Sequence, residues 1–321
     1  MEKGSCVLCP HGPEAKVYVR TNNGGYSFSY LKCQRCGLVF LSPHPDEKEI
    51  LQFYERDYYG EGLHKFHSWL EAPRLFFAWN RMRRVRKLFP APGKALDIGC
   101  GQGTFLQLLK REGWECHGTE VTAESASRAS RLGIPVSVGE IGEKQFPPSS
   151  FDLITLWHVL EHLPEPPRTL KVLTRLLKKG GILAISTPNI DSLQAKVGRG
   201  QWFHLDPPRH LYLFSPRTLE QMMESLKFQL LELRHFSLEQ NPYGWLQSLL
   251  NLMGLPENSL YRILKNIPNL PQKHLTVSQK GKTILLAASL WPHCLFLSLI
   301  MALVQRGGTI EAYFRLEDAE G

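Results

Sequence analysis

The stretch Ala95-Leu-Asp-Ile-Gly-Cys-Gly-Gln-Gly-Thr-Phe105 decides the fold. Its apolar opening, Ala95 to Ile98, suits a short buried strand. Gly99, Gly101 and Gly103 follow at alternate positions. Thr104–Arg111 then has helix-forming composition, with apolar Phe105, Leu106, Leu108 and Leu109. Strand, glycine turn and helix together make a nucleotide-site unit, because a glycine backbone can turn tightly and let a ligand lie against it. The spacing is Gly-x-Gly-x-Gly, whereas pyrophosphate sites use Gly-x-Gly-x-x-Gly. A ligand without phosphates fits that difference.

Downstream the pattern continues. Trp114–Thr119 reads as a second strand ending at Glu120, an acid placed to accept hydrogen bonds from both ribose hydroxyls. Val136–Val138 reads as a third strand, with Gly139-Glu140 after it. Phe151–Trp157 is a fourth and Gly181–Ser186 a fifth. Helical stretches at Ala123–Arg131 and Arg168–Leu177 alternate with them, so the fold class is α/β, with a parallel, doubly wound sheet. A capped helix begins at Ser215-Pro-Arg-Thr and runs to Leu226. Phe228–Phe236 is a sixth strand, and Gly308–Leu316, with alternating Ile310, Ala312 and Phe314, a seventh. A dinucleotide-binding dehydrogenase is the competing reading.

Asp97, the glycine triplet, Glu120 and the Phe151-Asp152 strand start, in that order, resemble the class I S-adenosylmethionine-dependent methyltransferases. The resemblance implies a Rossmann-like seven-stranded sheet whose last strand slots, antiparallel, between the fifth and sixth. It implies S-adenosylmethionine as cofactor, bound by Asp97, Gly99, Gly101, Gly103, Glu120, Val121, Glu140 and His158. Glu140 departs from the acid that commonly follows this glycine, an aspartate. Closer still is a bacterial-type group with an N-terminal cysteine ribbon. It shares the Tyr54…Tyr58-Tyr59 stretch, His-x-Leu-Glu-His, Thr-Pro-Asn and His-Leu-Asp-Pro-Pro-Arg-His-Leu. Quinone O-methyltransferases and zinc-containing sugar C-methyltransferases are among its wider relatives.

Four of the seven cysteines form two Cys-x-x-Cys pairs, Cys6/Cys9 and Cys33/Cys36. The N-terminus has no apolar signal core, which points away from secretion and towards metal over disulfides. Lys16–Arg20 and Ser27–Lys32 read as a hairpin around Asn22-Asn-Gly-Gly25. Hairpin and knuckles make a zinc ribbon, and four sulfur ligands close the tetrahedron, so the zinc is expected to be structural. Redox pairs or free thiols are the rivals. Tyr18, Tyr26, Phe28 and Tyr30 are expected to be buried by the hairpin itself, which makes the ribbon a docking or capping module. The formal charge of +8 falls by about two if four thiolates hold one zinc, and it favours anionic partners.

Three stretches are expected along the chain: a ribbon at 1–45, a helical linker at 46–92 and the main domain at 93–321. In the linker, Asp46–Tyr59 and Leu70–Leu88 read as helices. The second presents Phe76, Phe77, Met82, Val85 and Leu88 inward and Arg74, Arg81, Arg83, Arg84, Arg86 and Lys87 outward. The outer face is either simply solvated or a contact for an anionic surface.

Between the sixth and seventh strands lies an apolar insert, 241–306. Ile284–Val304 carries no charge, but Pro292 and His293 interrupt it, and one span would strand the final strand on the wrong side. Helices lying at a membrane interface, or packed on each other, are expected, with Lys273, Lys280, Lys282 and Arg306 flanking them.

The chemistry is expected past the fourth strand, at Trp157-His-Val-Leu-Glu-His-Leu-Pro164. His162 is the candidate general base, oriented by Glu161, for in-line attack by an acceptor atom on a sulfonium methyl. Tyr59, His204, Arg209 and His210 are the candidate substrate contacts. The expected function is methyl transfer to a small or lipid-linked acceptor, saccharide- or quinone-like, at or near a membrane. The alternatives are an RNA methyltransferase, using the ribbon and the basic helix, and a non-catalytic binding module. The expected location is the cytoplasm, with peripheral attachment to the inner face of the membrane.

Overall fold

A computed structural model describes residues 6–10, 15–23, 26–45, 71–89, 91–264 and 275–317. The chain forms two compact units. One comprises Met1–Leu70, Pro188–Thr218 and Arg234–Ile310, and the other Glu71–Thr187, Leu219–Leu233 and Glu311–Gly321. They interleave along the chain.

The second unit is built on a seven-stranded sheet. Its strands are β4 (Lys94–Ile98), β5 (Glu115–Glu120), β6 (Val136–Val138), β7 (Phe151–Trp157), β8 (Leu177–Pro188), β10 (Phe228–Arg234) and β11 (Thr309–Leu316). Their order is β10-β11-β8-β7-β4-β5-β6, so β11 does slot between the fifth and sixth core strands. β4 pairs in parallel with β5 and β7, β5 with β6, and β7 with β8. The chain leaves β4 towards β5 and β6, then returns to β7 on its other side. Such a reversal opens a crevice over the carboxyl end of β4.

Helices α1 (Glu71–Leu88), α2 (Thr104–Arg111), α3 (Ala123–Ser130) and α4 (Pro166–Leu176) belong to this unit. Met82 and Val85 of α1 and Phe105, Leu106 and Leu109 of α2 enter a core shared with Ala95, Leu153, Ile182 and Tyr313. The expected inward face of α1 needs one correction: Phe76 is exposed, and Ala78 is buried in its place. Three of the arginines expected outward turn to the unit. Arg74 donates to Gln102, Arg81 lies over the Trp157 ring, and Arg84 pairs with Glu232 at 3.0 Å. The helix is thus chiefly a packed one.

The first unit holds a four-stranded sheet ordered β1-β2-β3-β9, from β1 (Lys16–Asn23), β2 (Tyr26–Lys32), β3 (Val39–Ser42) and β9 (Tyr212–Leu213). The expected hairpin is present, with Asn23 opposite Tyr26. Its aromatics behave otherwise than expected. Tyr18 and Tyr26 are exposed, while Tyr30 is fully buried and points its hydroxyl at the Leu205 and His210 carbonyls, 2.6 and 2.8 Å away. The ribbon therefore holds the 205–210 loop and is not closed on itself.

The insert is helical: α7 (Asn241–Leu252), α8 (Ser259–Leu264) and α9 (Val277–Leu303), preceded in the chain by α5 (Leu193–Gly198) and by α6 (Pro216–Glu224). Trp245, Leu246 and Leu250 of α7 pack against Ala287 and Cys294 of α9. A capping box of Thr276 and Gln279 fixes the start of α9, and the helix runs through Pro292. The expected helix at Asp46–Tyr59, and Tyr59 with it, lies outside the described residues.

Candidate active site and metal centre

Residues around β4 assemble a crevice. Asp97, Gly99, Gly101, Gly103, Glu120, Val121 and Glu140 all come from the carboxyl ends of β4, β5 and β6 or the turns after them. Gly101 has a left-handed backbone, φ +57°, and a side chain added there would meet nothing within 4 Å. That open space is the cradle a ligand needs. Glu120 is buried and faces it: Oε1 accepts from the Gly101 amide at 2.6 Å and Oε2 from the Val121 amide at 3.0 Å. Gly139, whose amide donates to the Glu120 carbonyl, also borders open space. Val121 and Glu140 are exposed nearby in the chain.

Asp97 lies deeper. It sits opposite Thr155 in the β4–β7 register and accepts its hydroxyl proton at 2.6 Å. Burial pushes the Asp97 carboxyl up to about 7, with the Thr155 bond and Arg81 opposing. Thr155 was missed from the sequence. The signal was available, because it is the one hydroxyl inside an otherwise apolar strand core and its register places it beside Asp97.

The segment after β7 presses on the glycine loop. A side chain on Gly99 would come within 2.7 Å of the Val159 side chain. His158 takes a left-handed backbone, φ +57°. Its Nδ1 meets Glu161 Oε1 at 3.3 Å and its Nε2 meets Ser186 Oγ at 3.1 Å. The fully buried Glu161 thus holds His158. His162 ends the 3-10 turn Leu160–His162, with a ring nitrogen within 4.8 Å of a Glu161 oxygen. Ser186, fully buried at the end of β8, was also missed.

The substrate candidates of the first unit are tied to their own surroundings. His210 Nδ1 lies 2.8 Å from the His204 carbonyl, and both rings are buried. Arg209 pairs with Asp206 at 2.6 Å. Trp202 donates to Gln194, and Gln194 to the Asn241 carbonyl. Together these bonds tie the loop to its own surroundings.

The four ribbon cysteines converge. Ligand atoms of Cys6, Cys9, Cys33 and Cys36 lie within 4.8 Å of one another, and Cys6 and Cys36 sulfurs are 3.5 Å apart. A tetrahedral zinc with ~2.3 Å Zn–S bonds sets its sulfurs about 3.8 Å apart, so the group fits that ion. Tight turns build each knuckle, with Cys9 N–H donating to the Cys6 carbonyl and Gly37 N–H to that of Cys33. Burial raises the Cys6 thiol and takes Cys9 to about 11. Burial also opposes ionisation at Cys33, but the Cys36 and Arg35 amides outweigh it and bring it to about 7.

The family model described as a methyltransferase domain matches residues 71–233. This chain belongs to the methyltransferase-domain family. The methyltransferase is 31% identical over 179 residues to the ubiquinone biosynthesis O-methyltransferase of Paracidovorax citrulli, covering 50% of this chain and 74% of that one. It is 34% identical over 105 residues to the enzyme of that name from Methylococcus capsulatus, covering 30% and 44%. Among solved structures, the [4+2]-cyclase SpnF aligns with TM-score 0.52 and 17% identity, over 86% of this chain and 99% of that one. At that identity the likeness shows the fold alone. The methyltransferase is S-adenosylmethionine-dependent and α/β, Rossmann-like, and the open cradle beside Glu120 fits that cofactor.

Proposed function

We propose that this enzyme moves the methyl group of S-adenosylmethionine to a hydroxyl of a quinone-like, lipid-linked acceptor at a membrane surface. The observation that carries the cofactor half is Glu120, its carboxylate turned to the Gly101 amide beside open space. Names of the curated relatives support a quinone-like acceptor. S-adenosylmethionine supplies an electrophilic methyl on a sulfonium. The chain's own residues align the partners and manage one proton.

In this reading Glu120 takes the ribose hydroxyls, and Asp97 lends negative charge below the cationic ligand. Gly99, Gly103, Val121, Glu140 and His158 complete the cofactor wall. His162 is the general base. It would take the proton that the acceptor hydroxyl gives up on methylation. Glu161, bonded to His158 and with an oxygen within 4.8 Å of a His162 ring nitrogen, stabilises the imidazolium through its charge. His158 has both ring nitrogens engaged, which suits a wall residue better than a base. Tyr59, His204, Arg209 and His210 serve the acceptor. Cys6, Cys9, Cys33 and Cys36 hold one structural zinc, and the enzyme works at the cytoplasmic face of the membrane. The RNA alternative keeps a smaller basic face, since three of the six basic residues of α1, Arg74, Arg81 and Arg84, are turned to the fold.

The test is incubation of the purified protein with methyl-labelled cofactor and a cell extract, followed by fractionation. Label in the lipid fraction, transferred also to a polyprenyl catechol, is the expected outcome. Label confined to RNA or sugar would sink the acceptor reading. His162→Ala should lower kcat by about 10²- to 10⁴-fold, the range of general-base catalysis, while cofactor affinity holds.

A further inference from the structure

We infer that α9 docks on an anionic lipid surface, lying in the headgroup plane with its outer apolar face inserted. Docking there rests on the lipid-linked reading of the acceptor, because a lipid-borne hydroxyl is reached only at such a surface.

The helix is apolar nearly all round, yet only 17% of its most apolar 18-residue window is buried. A helix of that composition belongs in a core or in lipid. Its inner side is accounted for: Thr283, Ala287, Cys294 and Ser298 are buried. The opposite side is a continuous stripe. Ile284, Leu285, Trp291, Phe296, Leu299 and Leu303 are exposed, with Leu285 at 71%, Phe296 at 66% and Leu303 at 84%. At about 100° per residue all six fall within an arc of about 140° of the helix surface, and single scattered apolar residues would need no such explanation.

Charge selects the occupant. Between Val277 and Leu303 the helix has no acidic residue. Exposed Lys280 and Lys282 stand at its start and exposed Arg306 just past its end. Cations at both ends of an apolar stripe match a bed of anionic headgroups. Trp291, at mid-helix, has the ring type that favours the interface.

Connectivity selects the orientation. The helix is about 40 Å long at 1.5 Å per residue, enough to cross a bilayer core of about 30 Å. But the insert leaves β10 and returns to β11, which are neighbours in one sheet. Only five residues separate the end of α9 from β11. The 12-residue α7 that packs along it is too short to carry the chain back across. Both helix ends therefore stay on one side, and the stripe lies flat.

The experiment is flotation of the full-length protein with vesicles of phosphatidylcholine alone or mixed with phosphatidylglycerol, at low and high salt. Co-flotation should rise with phosphatidylglycerol and fall with salt. Leu285→Glu with Phe296→Glu should cut it at least tenfold, and Lys280→Glu with Lys282→Glu should weaken only the anionic component. Calorimetric binding of S-adenosylmethionine, unchanged in each variant, shows that the fold is intact. Equal flotation of wild type and Leu285→Glu/Phe296→Glu overturns the proposal. So does a wild type that ignores vesicles and forms a dimer abolished by the same pair, which would make a second copy the occupant. Vesicle binding without methyl transfer to a lipid-borne catechol would instead overturn the acceptor reading alone.

Discussion

Glu120 commits both carboxylate oxygens to backbone amides, which aims it at the crevice before any ligand arrives. Preorganisation of that kind lowers the cost of binding. Glu120→Ala should weaken S-adenosylmethionine binding by about 10- to 100-fold, since hydrogen bonds to a charged group contribute roughly 1.5–3 kcal/mol. Calorimetry reads this directly, and an unchanged affinity would remove Glu120 from the site. Asp97 makes a second prediction. Its carboxyl, pushed by burial from 3.8 to about 7, holds a proton more tightly folded than unfolded. Stability of the ligand-free protein should therefore fall as pH rises from 3.8 to about 7, and level off above. A cationic ligand reverses the preference, so binding near pH 6 should release protons. Calorimetry in two buffers of different ionisation enthalpy measures the release, and Asp97→Asn should abolish it. Much of this was legible in the chain: the glycine triplet, Asp97 and Glu120 stand at spacings local geometry explains. Thr155 and Ser186 were not, because each acts through a partner 58 or 28 positions away, and only sheet register brings them together.

At the level of elements, hydrophobic period located every core strand to within a few residues, since each is bounded by glycine, proline or charge. What the pattern could not show was where polar faces go. The arginines of α1 looked like a solvated row. Three of them are drawn inward by Gln102, Trp157 and Glu232, partners distant in sequence. Likewise Tyr30 was expected to be buried by its own hairpin, and its hydroxyl reaches across to two loop carbonyls. The ribbon also makes an element-scale prediction. The purified protein should carry one zinc per chain by elemental analysis. Chelation should lower its unfolding temperature and expose the β1–β3 backbone to hydrogen exchange, while β4–β7 amides stay protected. Apparent binding energies of structural zinc run to about 10 kcal/mol or more, so the loss should be plain. Retention of full exchange protection after metal removal would make the cysteines merely free thiols.

On the scale of the whole molecule, each unit is assembled from separated stretches of chain. β11, near the C-terminus, lies between β8 and β10. A chain ending before Thr309 would leave both neighbours with unpaired edges in the middle of a sheet, where unmade backbone hydrogen bonds are costly. Such a truncation should lose cooperative unfolding and S-adenosylmethionine binding together. Circular dichroism melts and calorimetry check it, and a truncated protein that still binds the cofactor would show that β11 is dispensable.

Strand β9 is only two residues long, yet it completes the sheet that the N-terminal cysteine hairpin begins. Natural shuffling works most easily with pieces that can be cut and pasted whole. Here a recombination joint placed after residue 45 would graft the hairpin without Tyr212-Leu213, its last rung. Artificial chimeras will need to swap residues 199–214 along with the first forty-five.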